Sequence, residues 1–134
     1  MAATRLIART FLASAMLAST ALAPALANAE PAASGSMMNL TVRSEMRGDD
    51  FRTALLTCEP AGGSHPHASA ACQTLDTVHG DLNLLSEGHS MCPLVYKPVK
   101  LAAKGSWQGR PVTFEKTYSN DCVAEAATGK VFAF

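Results

Sequence analysis

The chain has 134 residues, with 11 Lys+Arg against 11 Asp+Glu, 48% apolar residues and 4 Cys. That length fits one domain, and the intermixed charges leave no basic field for nucleic acid and no polybasic patch for a membrane. An apolar fraction near half excludes a disordered, charged tail protein.

Residues 1–29 are unlike the rest. They contain Arg5 and Arg9, no acid, an apolar run over 11–26, and small-x-small steps at Ala25-Leu26-Ala27 and Ala27-Asn28-Ala29. This is the pattern of a secretory signal peptide, with cleavage expected after Ala29 or, second, after Ala27. Ser14, Ser19, Thr20 and Pro24 interrupt the run and make it a poor membrane anchor. Removal takes away two arginines and leaves nine cations against eleven acids, a formal charge of −2 over residues 30–134. These form one expected domain, secreted and extracellular, of a size that supports a modest core.

Residues 30–36 are rich in Ala, Pro, Ser and Gly and are expected to fray. Met38, Leu40 and Val42 then alternate with Asn39, Thr41 and Arg43, a strand with one buried face. After a turn at Gly48-Asp49-Asp50, residues 51–57 read as a second strand, apolar at Phe51, Leu55 and Leu56. Residues 59–65 (EPAGGSH) form a loop, and Pro66 suits the first turn of a helix. Ala68, Ala71, Cys72, Leu75 and Val78 recur at helical spacing before Gly80. Val99, Leu101 and Ala103 alternate as a third strand, with turn material at Gly105 and Gly109. Residues 112–118 make a fourth strand, with Val112, Phe114 and Tyr118 on one face and Lys116 out of pattern. Residues 122–127 suit a short helix closed by Gly129, and the apolar end Val131-Phe132-Ala133-Phe134 reads as a closing strand. Strands in antiparallel succession with two interspersed helices predict an α+β fold.

Cys58, Cys72, Cys92 and Cys122 all follow the signal, so export places them where disulfides persist. Four cysteines allow three pairings, among which spacing does not choose. A metal site is the alternative: a secreted protein binding metal through His, Met and Cys. Against it, there is no Cys-x-x-Cys, His65, His67, His79 and His89 lack ligand spacing, and Met37, Met38 and Met46 form no Met-x-x-Met repeat. An enzyme is not expected either, since Gly88-His89-Ser90-Met91-Cys92 has Cys where a hydrolase elbow requires Gly.

The segment over 86–99 (SEGHSMCPLVYKPV) stands apart. Two prolines bracket Leu94-Val95-Tyr96-Lys97, and a cysteine precedes the first. Each proline fixes its own φ and drives the preceding residue toward extended backbone. The expected product is a stiff, extended stretch tied to the core at Cys92, a form that a protease cleft binds as an added strand.

The wider pattern adds to this. In order along the chain stand Leu40-Thr41-Val42, Cys58-Glu59-Pro60, Gly62-Gly63-Ser64-His65-Pro66, Ala71-Cys72 with Leu75, and Gly80-Asp81-Leu82-Asn83. Met91-Cys92-Pro93-Leu94-Val95-Tyr96, Pro98-Val99, Gly105-Ser106-Trp107-Gln108-Gly109, Tyr118-Ser119-Asn120-Asp121-Cys122 and the terminal Val131-Phe132-Ala133-Phe134 follow. This series resembles the Streptomyces-type subtilisin inhibitors over essentially all of residues 30–134. The resemblance implies a secreted standard-mechanism inhibitor of subtilisin-like, and also chymotrypsin-like, serine proteases, with no cofactor. It implies a twisted antiparallel sheet of about five strands carrying two helices. It further implies sequential disulfides (Cys58 with Cys72, Cys92 with Cys122) and a homodimer through the sheet. The scissile bond would be Leu94–Val95, with Leu94 setting specificity. Met91, Cys92, Pro93, Tyr96 and Lys97 would contact the protease, and Asn120 would support the loop from behind. Two positions depart from the family pattern: Lys97, where an acid is common, and Asn39, where relatives carry an aliphatic residue. The first bears on selectivity, the second on dimer tightness.

Overall fold

A computed structural model describes residues 35–86 and 88–134. The signal segment read in residues 1–29 lies outside the described residues. Five strands form one antiparallel sheet: β1 (Ser36–Ser44), β2 (Phe51–Cys58), β3 (Gly62–Gly63), β4 (Val99–Trp107) and β5 (Arg110–Tyr118), in the order β3-β2-β1-β4-β5. Helices α1 (Ala68–Thr77) and α2 (Asp121–Thr128) pack on one face, and a short 3₁₀ turn at Leu82–Leu84 follows α1. Among the described residues no helix is long and apolar enough to cross a membrane.

The alternation of β1 determines which face is covered. Met38, Leu40 and Val42 point under the helices and are almost fully buried, while Met37, Asn39 and Arg43 lie on the open face. Leu40 pairs with Ala54 on one side and Ala103 on the other, so small residues flank it and the helices approach closely. Leu56, Leu75, Leu101, Trp107 and Phe114 complete the core with Ala71, Ala124 and Val131. The Cys58–Cys72 bridge ties the end of β2 to α1, and Cys92–Cys122 ties the irregular segment after residue 85 to the start of α2.

Four local expectations are corrected. Phe51 is 55% exposed: it pairs with Arg43 on the open face, with that guanidinium over its ring at 5.9 Å, and Ala54, Leu56 and Cys58 carry the buried face of β2. Gly105 is not a turn residue. It lies inside β4, where a Cβ would come within 2.0 Å of the Met37 carbonyl oxygen, so the two strands meet only because it has none. Residues 131–134 are not a strand. Val131 and Phe132 are buried, but their backbone is satisfied elsewhere: the Val131 amide donates to the Thr128 carbonyl and the Val131 carbonyl meets His65 Nε2 at 2.9 Å. The fifth strand instead comes from the loop at 59–65, where Gly62 and Gly63 pair with Thr57 and Leu56. Helix α1 also begins at Ala68, two residues past Pro66.

Lys116, out of pattern in the sequence, finds a role, and Trp107 is placed. Lys116 extends along the sheet and places Nζ 5.0 Å from the Tyr118 ring centroid. Trp107 is 1% exposed beneath the end of α1; at Gly80 (φ 79°) a Cβ would stand 2.1 Å from its Cγ. Glycine is needed there twice over, for its dihedral and for the indole.

Candidate functional site

The segment from residue 88 to Pro98 has no regular secondary structure and is held at several points. At its start the Gly88 amide donates to the Ala126 carbonyl near the end of α2 (3.0 Å). Cys92 is bridged to Cys122, with Cα atoms 5.7 Å apart. At its end the Lys97 amide donates to the Ser119 carbonyl (2.9 Å), and the Pro98 carbonyl accepts from the Glu45 amide (2.9 Å). Pro98 and Val99 are then buried at the head of β4.

Asn120 braces the middle. It is 7% exposed, and its Nδ2 donates to the Pro93 carbonyl (3.2 Å) and the Val95 carbonyl (2.8 Å). A primary amide has two N–H donors, and both are used on the carbonyls either side of Leu94 in the chain. Its Oδ1 accepts from the Val123 amide (2.9 Å), the N-cap bond of α2. Helix start and loop therefore fix one another: the cap sets the amide's orientation, and that orientation aims its donors at the loop.

Held from behind, the segment turns its apolar side chains outward. Leu94 and Met91 are fully exposed, Tyr96 is 75% exposed and Val95 45%. Exposed apolar groups are ordinary when scattered, but here they occupy a stretch of six residues with Pro93 and a disulfide between them. No part of the fold uses Leu94, so its side chain is free for another molecule. Lys97 is also exposed, at the mouth of a cleft of about 420 Å³ that it lines with Arg47, Arg52 and Asp121. Arg52 and Asp121 form an exposed ion pair at 3.5 Å, a contact of small energetic weight.

The residues expected of the loop thus come together: Met91 to Lys97 form one exposed strip, and Cys122 and Asn120 stand behind it. Sequence reading missed Ser119, Glu45, Gly88 and Ala126, which contribute through backbone groups and carry no side-chain signal. It also missed the capping role of Asn120, although an Asn two residues before the expected helix is a start signal that was there to read. Ser90 lies in the loop, not on a strand–turn–helix elbow. Among the described residues, no three of His, Cys, Asp and Glu converge as metal ligands.

A two-disulfide α+β domain displaying one braced, apolar, extended strip is a small domain with a preformed exposed loop. Comparison with known proteins gives the family. Residues 34–120 match the family model described as "Subtilisin inhibitor-like". Over 85 residues the chain is 48% identical to the subtilisin inhibitor of Streptomyces albogriseolus, covering 62% of this chain and 59% of that protein. Over 128 residues it is 42% identical to a subtilase-type protease inhibitor of Streptomyces coelicolor, covering 92% of this chain and 85% of that one. The crystal structure of Streptomyces caespitosus sermetstatin in complex with Bacillus licheniformis subtilisin is similar at a TM-score of 0.60 and 34% identity, over 75% of this chain and 99% of that chain. The chain belongs to the subtilisin inhibitor-like family, whose members are protease inhibitors rather than enzymes.

Proposed function

We propose that this chain is exported as a substrate-like inhibitor of subtilisin-type serine proteases, with Leu94–Val95 as the bond offered to the attacking serine. The observation that carries this reading is the full exposure of Leu94 between two carbonyls held by one buried amide. A loose peptide ending in Pro-Leu would be acylated at the Leu carbonyl and would release its leaving half. Here the Val95 amine stays beside the ester, because the Val95 carbonyl is bound to Asn120, the Lys97 amide to Ser119, and Cys92 to α2. Religation at that high effective concentration outcompetes hydrolysis. The braced strip also loses little freedom on docking, which makes a modest interface tight.

Leu94 fits a large apolar pocket, of the kind subtilisin-like and chymotrypsin-like enzymes carry, and offers no cation to the buried acid of a trypsin-like one. Met91, Cys92 and Pro93 fill the preceding subsites, and Val95, Tyr96 and Lys97 the following ones. A homodimer through the open face of the sheet is part of the same reading. That face carries Asn39, Thr41 and Ala102 at its centre, with Arg43, Lys100, Lys104 and Glu115 around them.

Titration of active subtilisin with the mature protein tests the proposal. Activity falling linearly to zero at a fixed molar ratio is the expected result. Mass spectrometry showing rapid, complete cleavage at Leu94–Val95 with activity undiminished would overturn it.

A further inference from the structure

Six methionines occur in the chain, and the four described ones differ sharply in exposure. Met38 is 1% exposed in the core, Met37 is 53% and Met46 67% exposed, and Met91 is 103% exposed, as open as an isolated residue. All four cysteines are locked in disulfides, and no free cysteine remains. Trp107, the one indole, is 1% exposed. The thioethers are therefore the sulfurs open to an oxidant among the described residues, and Met91 is the most open of them. It stands three positions before Leu94, on the same exposed strip.

We propose that Met91 is an oxidation site through which peroxide lowers the affinity of this inhibitor for its protease. The proposal rests on the inhibitor reading above. The chemistry is a two-electron oxygen transfer. The Met91 Sδ lone pair attacks one oxygen of hydrogen peroxide and the O–O bond breaks. That oxygen stays on sulfur as the sulfoxide, and the other leaves as water once protons have redistributed. Sulfur is oxidised and peroxide reduced, and a sulfoxide reductase using thiols reverses the change.

The consequence follows from what Met91 does before and after. As a thioether it is a flexible apolar chain that gains by leaving water for a protease subsite. As a sulfoxide it carries a strongly polar S=O group, which must give up its water to enter the same subsite. The fold itself is indifferent, because a side chain in full solvent packs on nothing. Oxidation at Met91 therefore weakens binding without unfolding the domain. The expected loss is roughly ten- to hundredfold, the affinity equivalent of one buried apolar side chain.

The test treats intact mature protein with hydrogen peroxide and removes the excess with catalase before any protease is added. Sulfoxide is mapped by peptide mass spectrometry, and the subtilisin inhibition constant is measured before and after treatment. Wild type is compared with Met91→Leu and with a Met37→Leu/Met46→Leu double variant, the readout being the treated-to-untreated ratio for each. Sulfoxide should form fastest at Met91 and slowest at Met38. The ratio should rise at least about tenfold in wild type and in the double variant, return with sulfoxide reductase, and stay near one in Met91→Leu. Full oxidation of Met91 with an unchanged constant, or an equal rise in Met91→Leu, overturns the proposal. Untreated protein that fails to inhibit refutes the inhibitor reading and this proposal with it; inhibition indifferent to Met91 sulfoxide refutes the switch alone.

Discussion

Asn120 has two jobs, and they can be separated. Replacing it with Ser keeps a hydroxyl that caps α2 by accepting from the Val123 amide, since Ser and Asn are comparable at that position. The shorter side chain removes the donors to the Pro93 and Val95 carbonyls, which lie at 3.2 and 2.8 Å in the native arrangement. Two hydrogen bonds at about 1 kcal/mol each give about 2 kcal/mol, or roughly a thirtyfold change in how well the loop is held. Asn120→Ser should lose about those 2 kcal/mol of global stability, and Asn120→Ala, which also loses the cap, about 1 kcal/mol more, melting about 5 °C below Asn120→Ser. Both variants should still bind subtilisin at first. Over time both should be cleaved at Leu94–Val95 at least about tenfold faster than wild type, because the Val95 amine is no longer held against the acyl-enzyme. The assay pairs thermal unfolding with mass spectrometry of the inhibitor recovered from the complex. Wild-type cleavage rates in both variants, with only Asn120→Ala destabilised, would show that Asn120 is a helix cap and nothing more.

Four further outcomes are expected. Leu94→Lys should shift potency from subtilisin toward trypsin, and an unchanged ratio of the two inhibition constants would remove Leu94 from its specificity role. Removing the Cys92–Cys122 bridge, which closes a separation of 30 residues, should turn the protein into a substrate, seen as faster turnover of the reduced or doubly substituted form. Gly105→Ala should destabilise the sheet by about 3 kcal/mol or more, since its Cβ meets Met37 backbone at 2.0 Å; a denaturant midpoint equal to wild type would contradict the close approach of β1 and β4. Self-association through the open face should tighten modestly as salt rises, because Arg43, Lys100 and Lys104 outnumber Glu45 and Glu115 there by one, with Lys100 paired to Glu115, and two faces of the same net sign repel; sedimentation showing a dimer weakened by salt would refute that geometry.

What was legible in the sequence follows from how local each cause is. The strand β1 was readable because one residue in two is apolar and the buried face needs that period. The extended loop was readable because proline acts on its own φ and on its neighbour alone. Phe51 was misread because hydrophobicity does not reveal parity: the pairing with Arg43, fixed by the hairpin, puts it on the open face. Gly62 and Gly63 gave no strand signal at all, since glycine has no side chain to alternate, and their pairing depends on β2 offering an edge. The terminal Val131-Phe132-Ala133-Phe134 reads as too apolar to be free, and Val131 and Phe132 are buried, but the donor to the Val131 carbonyl is His65, sixty-six residues earlier, and no local pattern announces that partner. Within the site, side-chain contacts at Asn120 came through the family resemblance, while the backbone anchors at Ser119, Ala126 and Glu45 needed coordinates.

The position of β1 governs the order in which the molecule is completed. Met37 pairs with Thr57 on one side but with Ser106 on the other, so the earliest strand stays half-edged until almost the whole chain exists. Contacts so distant along the chain form slowly. On the export reading proposed above, this keeps the sheet from closing before most of the chain has crossed the membrane. The brace at Asn120 and the thiol at Cys122 emerge later still, so the loop is fixed in place last. On the inhibitor reading proposed above, a nascent or truncated molecule is food for the enzyme that the finished one blocks.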